Sequence, residues 1–121
     1  TVDIRYPVEY NCDQVLDAIR KNTPEYFSIE DISDSKPHYV PEDNIMIQKL
    51  KYAYEKVTGE PAYCFSIGGG TYARMFNNCV AFGPTFPGKP ELAHEKDEYI
   101  EIEDIIKNLR IYTYVLAELA K

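Results

Sequence analysis

Residues 62–71 read Ala62-Tyr63-Cys64-Phe65-Ser66-Ile67-Gly68-Gly69-Gly70-Thr71, a short apolar run followed at once by three glycines. A continuous apolar run of this length is typical of a strand that is buried on both faces, as in a parallel sheet. Consecutive glycines allow positive φ and let backbone N–H groups approach another group closely. The stretch therefore predicts a strand that ends in a glycine loop, and with it a fold that contains a sheet.

The glycine loop has two interpretations that the sequence leaves open. It is either a tight crossing where two backbones touch or a loop that holds a phosphate or carboxylate, with Thr71 as the hydroxyl donor. The Gly-Lys-Ser/Thr ending of a phosphate-binding P-loop is missing. So are the spaced glycines and later acidic residue of a dinucleotide-binding fingerprint, and nucleotide binding is therefore disfavoured.

The elements on either side of this stretch follow from hydrophobic periodicity and from capping residues. Val2, Ile4 and Tyr6 alternate with polar residues, which predicts a half-buried strand. Asn11 and Gln14 have the spacing of a capping box at a helix start. The expected order is βα–β–α–ββ–α, an α/β (mixed α+β) fold. We expect strands at 2–8, 26–33, 62–67 and 79–82, and helices from Asn11 to about Asn22, from Glu42 or Asp43 to about Thr58, and from Ile102 to about Ala120.

Length and charge limit the function classes. The chain has 121 residues, enough for one hydrophobic core. The formal net charge of −7 disfavours binding to nucleic acid or to an anionic membrane surface. No apolar run approaches the roughly 20 residues of a membrane helix. Three cysteines are too few, and odd in number, for a disulfide scaffold, which predicts reduced thiols and a cytoplasmic location.

Two residues are candidates for site chemistry on their residue type and context. Arg5, on a predicted strand, has a guanidinium suited to two parallel hydrogen bonds to a carboxylate, although the pattern alone favours a surface ion pair with Asp3 or a neighbour. His94 lies among carboxylates in a polar loop, where an imidazole either binds a proton or metal or is simply solvated. A zinc site needs three or four ligands, so partners of His94 would have to lie outside this chain.

Five motifs occur in an order that resembles the C-terminal end of the zinc-dependent dipeptidases related to PepV and carnosinase. These enzymes belong to the wider clan of aminoacylase and carboxypeptidase-G type metallopeptidases. The resemblance runs from Val2 to the final helix. The motifs are Asp3-Ile4-Arg5-Tyr6-Pro7, Lys36-Pro37-His38-Tyr39-Val40-Pro41, Ile67-Gly68-Gly69-Gly70-Thr71-Tyr72-Ala73-Arg74, Val80-Ala81-Phe82-Gly83-Pro84 and His94-Glu95-Lys96-Asp97-Glu98-Tyr99.

The resemblance implies a domain division and a set of roles. Residues 1–36 would be the C-terminal portion of an inserted βαβ-type lid, and residues 37–121 the C-terminal portion of a mixed-sheet catalytic domain that holds two zinc ions. Arg5 would bind the carboxylate of a dipeptide substrate, and His94 would be a zinc ligand. The pocket loop would consist of Gly69, Gly70 and Thr71.

The resemblance also implies what the chain lacks. The general base and the other zinc ligands of the family lie upstream of the matched region, so no catalytic residue is expected within this chain. The opening at Thr1, inside a predicted strand, leads us to expect a piece of a longer protein. We expect the isolated chain to be inactive and to form homo-oligomers through exposed apolar surface. Two alternatives stay open: a deacylase or desuccinylase of the same clan, and a non-enzymatic α/β module that binds an anionic small molecule.

Overall fold

The computed structural model describes all of residues 1–121 and consists of helices joined by extended segments and turns. The helices are α1 (Cys12–Asn22), α2 (Ile45–Thr58), a 3₁₀ helix (Tyr72–Met75) and α3 (Ile102–Leu119). The chain divides into two compact units, Thr1–Tyr39 and Val40–Lys121. None of the helices is both long enough and apolar enough to cross a membrane.

Helix α1 begins where the sequence predicts, because its start is fixed by local hydrogen bonds. The Asn11 side chain accepts a hydrogen bond from the Gln14 backbone N–H at 3.0 Å, and the Gln14 side chain accepts one from the Asn11 backbone N–H at 3.0 Å. This reciprocal pair satisfies two of the four unpaired donors of a helix start. The predicted capping box is therefore confirmed.

Helix α2 begins slightly later than predicted and ends where predicted. Asn44, not Glu42 or Asp43, is the residue that precedes the helix, and its side-chain oxygen accepts from the Met46 backbone N–H at 2.9 Å. At the other end Gly59 takes φ of 73° and donates to Glu55 O at 2.9 Å. Glycine adopts this left-handed conformation without steric cost, which explains the stop.

The predicted α/β fold with a mixed sheet is wrong, because the structure contains no strand. The segments 2–8, 26–33, 62–67 and 79–82 lie outside the helices, but none of them pairs with another in a ladder. A strand requires a neighbouring strand that pairs with its backbone N–H and C=O groups. An apolar or alternating pattern indicates which side chains could be buried, but it does not identify that neighbouring strand. The run at 62–67 is not buried on both faces either, since Tyr63, Phe65 and Ile67 are 62%, 77% and 55% exposed.

The core of the second unit lies between α2 and α3, the one pair of helices in contact. Val40, Met46, Tyr54, Val57, Val80 and Phe82 pack against it from the helix and the neighbouring loops. Ile111 is almost completely buried at its centre, at 1% exposure. The buried residues of the cluster are Ile47, Leu50, Ala53, Phe86, Ile111 and Val115.

Helix α3 packs through a different face from the one with the most apolar residues. Its buried residues are Asp104, Asn108, Ile111 and Val115, so two of the four are polar. The face with the most apolar residues carries Ile102, Leu109 and Leu116, which are 74%, 65% and 71% exposed. The helix therefore has two distinct faces, one of which holds α2 and the loop that follows residue 80.

Candidate functional site

The loop that follows Val80 is fixed to α3 by two side chains of that helix, the buried Asn108 and the exposed Tyr112. The Tyr112 hydroxyl donates to Phe82 O at 3.0 Å, and the Asn108 side-chain amide donates to Pro84 O at 2.7 Å. Asn108 and Tyr112 are four residues apart and therefore lie one above the other on the helix. Together they bind the carbonyl groups of the two residues that flank Gly83.

Gly83 meets both of these side chains at very close range. Its φ is 75°, a left-handed conformation that side chains disfavour. A Cβ atom at this position would lie 2.5 Å from the Tyr112 hydroxyl and 3.2 Å from the Asn108 side-chain oxygen. Glycine is therefore required here both by the backbone conformation and by the space.

An ion pair fixes the same loop further along. Lys89 Nζ lies 2.6 Å from Glu101 Oε2 and 3.1 Å from Asp104 Oδ2. The Asp104 side chain is only 8% exposed, whereas that of Glu101 is 49% exposed. Hydrogen bonds to Glu101 and Asp104 raise the pKa of Lys89 above its ordinary value. The ammonium group is therefore charged throughout the neutral pH range.

His94 lies in an exposed turn between Lys89 and α3. Its φ is 67°, and its backbone N–H donates to Glu98 Oε2 at 3.3 Å. A second turn is closed by the bond from Glu95 N to Leu92 O at 3.0 Å. Non-glycine residues adopt positive φ uncommonly, and such positions are concentrated at functional sites. Asp97, with φ of 60°, is the other non-glycine residue of the chain in this conformation.

The donor set around His94 does not by itself fit a metal ion. The chain contains no group of three or more histidine, cysteine, aspartate or glutamate side chains that could hold one. Zinc in proteins takes three or four protein ligands. An ion at His94 would need ligands that these 121 residues do not supply.

The glycine loop lies on the surface and leads into the 3₁₀ helix. Gly69 and Gly70 are exposed, and Thr71 caps the 3₁₀ helix by accepting from the Ala73 N–H at 3.3 Å. This bond uses the Thr71 oxygen as acceptor, so the hydroxyl hydrogen can still be donated to a ligand. A Cβ at Gly70 would lie 2.8 Å from an Arg74 guanidinium nitrogen, which places a positive charge against the loop.

Arg5 belongs to the first unit, where it forms the ion pair with Asp3 that the sequence allows. The distance from guanidinium nitrogen to carboxylate oxygen is 3.4 Å, and both side chains are mostly exposed. Arg5 also lies along a shallow, largely apolar groove of about 580 Å³ with Ile4, Tyr10, Val15 and Ile19.

A hydrogen bond between Tyr6 and Asp34 crosses the same unit. The Tyr6 hydroxyl donates to Asp34 Oδ1 at 2.5 Å. This bond raises the pKa of Tyr6 to about 12. It joins two residues 28 positions apart in a unit that has no buried core residue, and therefore ties its two extended segments together.

The structure thus groups some of the expected site residues and adds others. Gly69, Gly70 and Thr71 form one loop, now with Arg74 beside it, while His94 lies in a separate turn. The candidate site residues taken from the sequence do not include Lys89, Asn108 or Tyr112. The sequence does contain one indication of this contact surface. Asp104, Asn108 and Tyr112 are polar residues spaced four apart, and this spacing places them on one face of α3.

Comparison with known proteins identifies relatives along nearly the whole chain. The protein named "Putative dipeptidase YtjP" of Bacillus subtilis (strain 168) is 43% identical over 120 residues, which are 99% of this chain and 26% of that protein. The "Beta-Ala-Xaa dipeptidase" of Lactobacillus delbrueckii subsp. lactis is 34% identical over 119 residues, 98% of this chain and 25% of that protein. The chain thus spans about a quarter of the length of these curated relatives. No solved structure matches it.

A family profile covers the same region. The family described as "Peptidase family M20/M25/M40" matches residues 4–118, which include the Gly69–Thr71 loop, the 82–89 segment and His94. The resemblance to metallopeptidases that the five motifs indicate is therefore confirmed at the level of the family. The chain belongs to peptidase family M20/M25/M40.

Proposed function

We propose that this chain is the C-terminal part of a dipeptidase that hydrolyses the peptide bond of dipeptides. The observation that carries the proposal is similarity over 99% of the chain to a protein named as a dipeptidase. In this proposal residues 1–36 belong to a lid and residues 37–121 to the catalytic domain. The isolated chain is inactive, because it contains no candidate for the general base.

In the proposed enzyme Arg5 binds the C-terminal carboxylate of the substrate. A guanidinium presents two parallel donors that match the two oxygens of a carboxylate. The Arg5 side chain is mostly exposed and forms a 3.4 Å ion pair with Asp3, and an exposed pair of this kind can be exchanged for a substrate carboxylate at little cost.

The glycine loop lines the substrate pocket in the same proposal. Gly69 and Gly70 present backbone to the ligand without intervening side chains. The Thr71 hydroxyl donates to a substrate oxygen. Its bond with the Ala73 N–H uses only the hydroxyl oxygen as acceptor, so the hydroxyl hydrogen can still be donated. The Arg74 guanidinium beside Gly70 adds positive charge for an anionic group.

His94 is the metal ligand that this chain contributes, with zinc as the proposed metal and the remaining ligands supplied from outside residues 1–121. Its exposed imidazole, on a turn with strained backbone, is accessible to such a shared site. A zinc ion bound there would polarise the scissile carbonyl and lower the pKa of a bound water. The small and odd number of cysteines, three, supports a cytoplasmic location for the enzyme.

The proposal is tested by hydrolysis assays on the longer protein that contains this chain. The substrates are ordinary dipeptides, β-alanyl dipeptides and N-acylated amino acids. We expect cleavage of dipeptides. We also expect His94→Ala to lower kcat/KM by at least about 100-fold, because mutation of a residue that only hydrogen-bonds a metal ligand already lowers activity by about 10- to 100-fold. His38→Ala, at the other histidine, is the matched control and retains activity. Cleavage of acylated amino acids alone would instead assign a deacylase.

The role of Arg5 has its own test in the same assay. We expect Arg5→Ala to raise KM for dipeptides by about 10- to 100-fold, the range for a hydrogen-bonded charged group. C-terminally amidated dipeptides lack the carboxylate, so their KM does not change in the variant. An equal rise in KM for both substrate classes would contradict carboxylate binding by Arg5.

A further inference from the structure

The residues around His94 form a loop whose two ends are joined by one side chain. Lys89 precedes the loop and Glu101 follows it, and their side chains meet at 2.6 Å. Residues 90–100 lie between them, with His94 near the middle. Compact surface loops of this length with adjacent ends are a recurrent type and are frequently functional.

Both ends of this loop are fixed to α3. The segment before Lys89 is held by the bonds from Asn108 and Tyr112, and by the turn from Lys89 N to Phe86 O at 3.2 Å. Glu101 is the residue that precedes the first turn of the helix. Lys89 itself reaches past Glu101 to Asp104, so a single ammonium joins the loop base to the buried face of α3.

The contact with Asp104 distinguishes this pair from ordinary surface ion pairs. Exposed ion pairs contribute little because water competes for both charges. The Asp104 side chain is 8% exposed, and removal of its cation would leave a nearly buried carboxylate without that partner. The loop base is therefore closed more firmly than the exposed Lys89–Glu101 contact alone would allow.

We propose that Lys89 is a positioning residue that closes the base of the 90–100 loop and thereby holds His94 in place. The closed loop is a property of this chain and needs no metal. Only the purpose of holding His94, to present a metal ligand, rests on the proposed function. Lys89 contacts neither metal nor substrate in this arrangement, and it acts through the loop.

The test compares Lys89→Met, Lys89→Arg and Lys51→Met in the metal-free 121-residue chain. Lys51 forms a comparable ion pair with Glu42 in the same unit and is the matched control. Amide hydrogen exchange reports the order of residues 90–100. The imidazole resonance of His94 reports its environment, and His38, the only other histidine, is the internal reference.

We expect Lys89→Met to speed amide hydrogen exchange in residues 90–100 by about tenfold. This effect is intermediate between the small contribution of an exposed ion pair and the large cost of breaking a buried one. The His94 resonance should broaden or shift while that of His38 does not. Lys89→Arg should restore both readouts, and Lys51→Met should leave them unchanged. No change in Lys89→Met, or equal acceleration throughout α2 and α3, would overturn the proposal. Because no metal or substrate is present, failure of the dipeptidase proposal would not alter these results.

Discussion

At the scale of single residues, Gly83 shows how tightly the loop approaches α3. Gly83 and Gly88 both have positive φ, at 75° and 80°, but only Gly83 has neighbours where a Cβ would lie. Substitution by alanine therefore has the same conformational cost at both positions, but a steric cost only at Gly83. This difference makes them a matched pair for measuring how closely the loop is packed.

We predict that Gly83→Ala destabilises the second unit more than Gly88→Ala does. Both variants incur about 1–2 kcal/mol for a side chain in the left-handed region. Gly83→Ala incurs about 1–3 kcal/mol more, because the new methyl group clashes with the Tyr112 hydroxyl. Urea unfolding gives both free energies. Equal losses in the two variants would mean that the loop does not dock against Tyr112 and Asn108.

Some residues of the candidate site could be predicted from their residue type, and others could not. Arg5, His94 and the Gly69–Thr71 loop stand out in the sequence because each has a chemical use beside its structural one: a guanidinium binds carboxylates, an imidazole binds a proton or metal, and consecutive glycines let backbone approach a ligand. Lys89 does not stand out, since a lysine in a polar loop is ordinary. Its significance depends on the buried Asp104, fifteen residues further along the chain, a contact that only the folded chain brings about.

At the scale of elements, the helices were predictable and the strands were not. Each helix is stabilised by bonds between residues two to four apart, such as Asn11 with Gln14 and Gly59 with Glu55, and these are visible in the sequence. A strand depends on a partner at an unspecified distance along the chain. The segments predicted as strands find no such partner among residues 1–121, and many of their apolar side chains are exposed, although Val80 and Phe82 pack against the core.

The start of α2 can be tested at its capping residue. Asn44 accepts from the Met46 N–H, and α2 contributes Ile47, Leu50 and Ala53 to the core. We predict that Asn44→Ala lowers the free energy of unfolding by about 1 kcal/mol, the usual value of such a cap. Asn44→Asp keeps an acceptor at the helix start and should lose much less. If the two variants unfold at the same urea concentration, the cap does not contribute to stability.

At the scale of the whole molecule, the chain exposes unusually many large apolar side chains. They include both ends of α3, at Ile102 and Leu116, and residues from the extended segments such as Val2 and Phe65. Soluble monomers rarely leave large contiguous apolar patches open to water. The apolar face of α3 is the longest regular surface of this kind.

We predict that the isolated chain self-associates through this face of α3. Leu109 and Leu116 lie seven residues apart on it and are 65% and 71% exposed. Light scattering coupled to size exclusion should show a mass that rises with concentration in the unmodified chain. The double variant Leu109→Lys, Leu116→Lys should shift that rise to higher concentration. An unchanged mass profile in the double variant would place self-association elsewhere.

The most direct test of the central proposal is the metal content of the longer protein that contains this chain, measured by elemental analysis after gel filtration. We predict that the unmodified protein retains zinc. We further predict that His94→Ala loses most of it, while Arg5→Ala, altered only in substrate binding, retains it. Equal metal content in the unmodified protein and in His94→Ala would contradict the assignment of His94 as a ligand, and with it the proposed site.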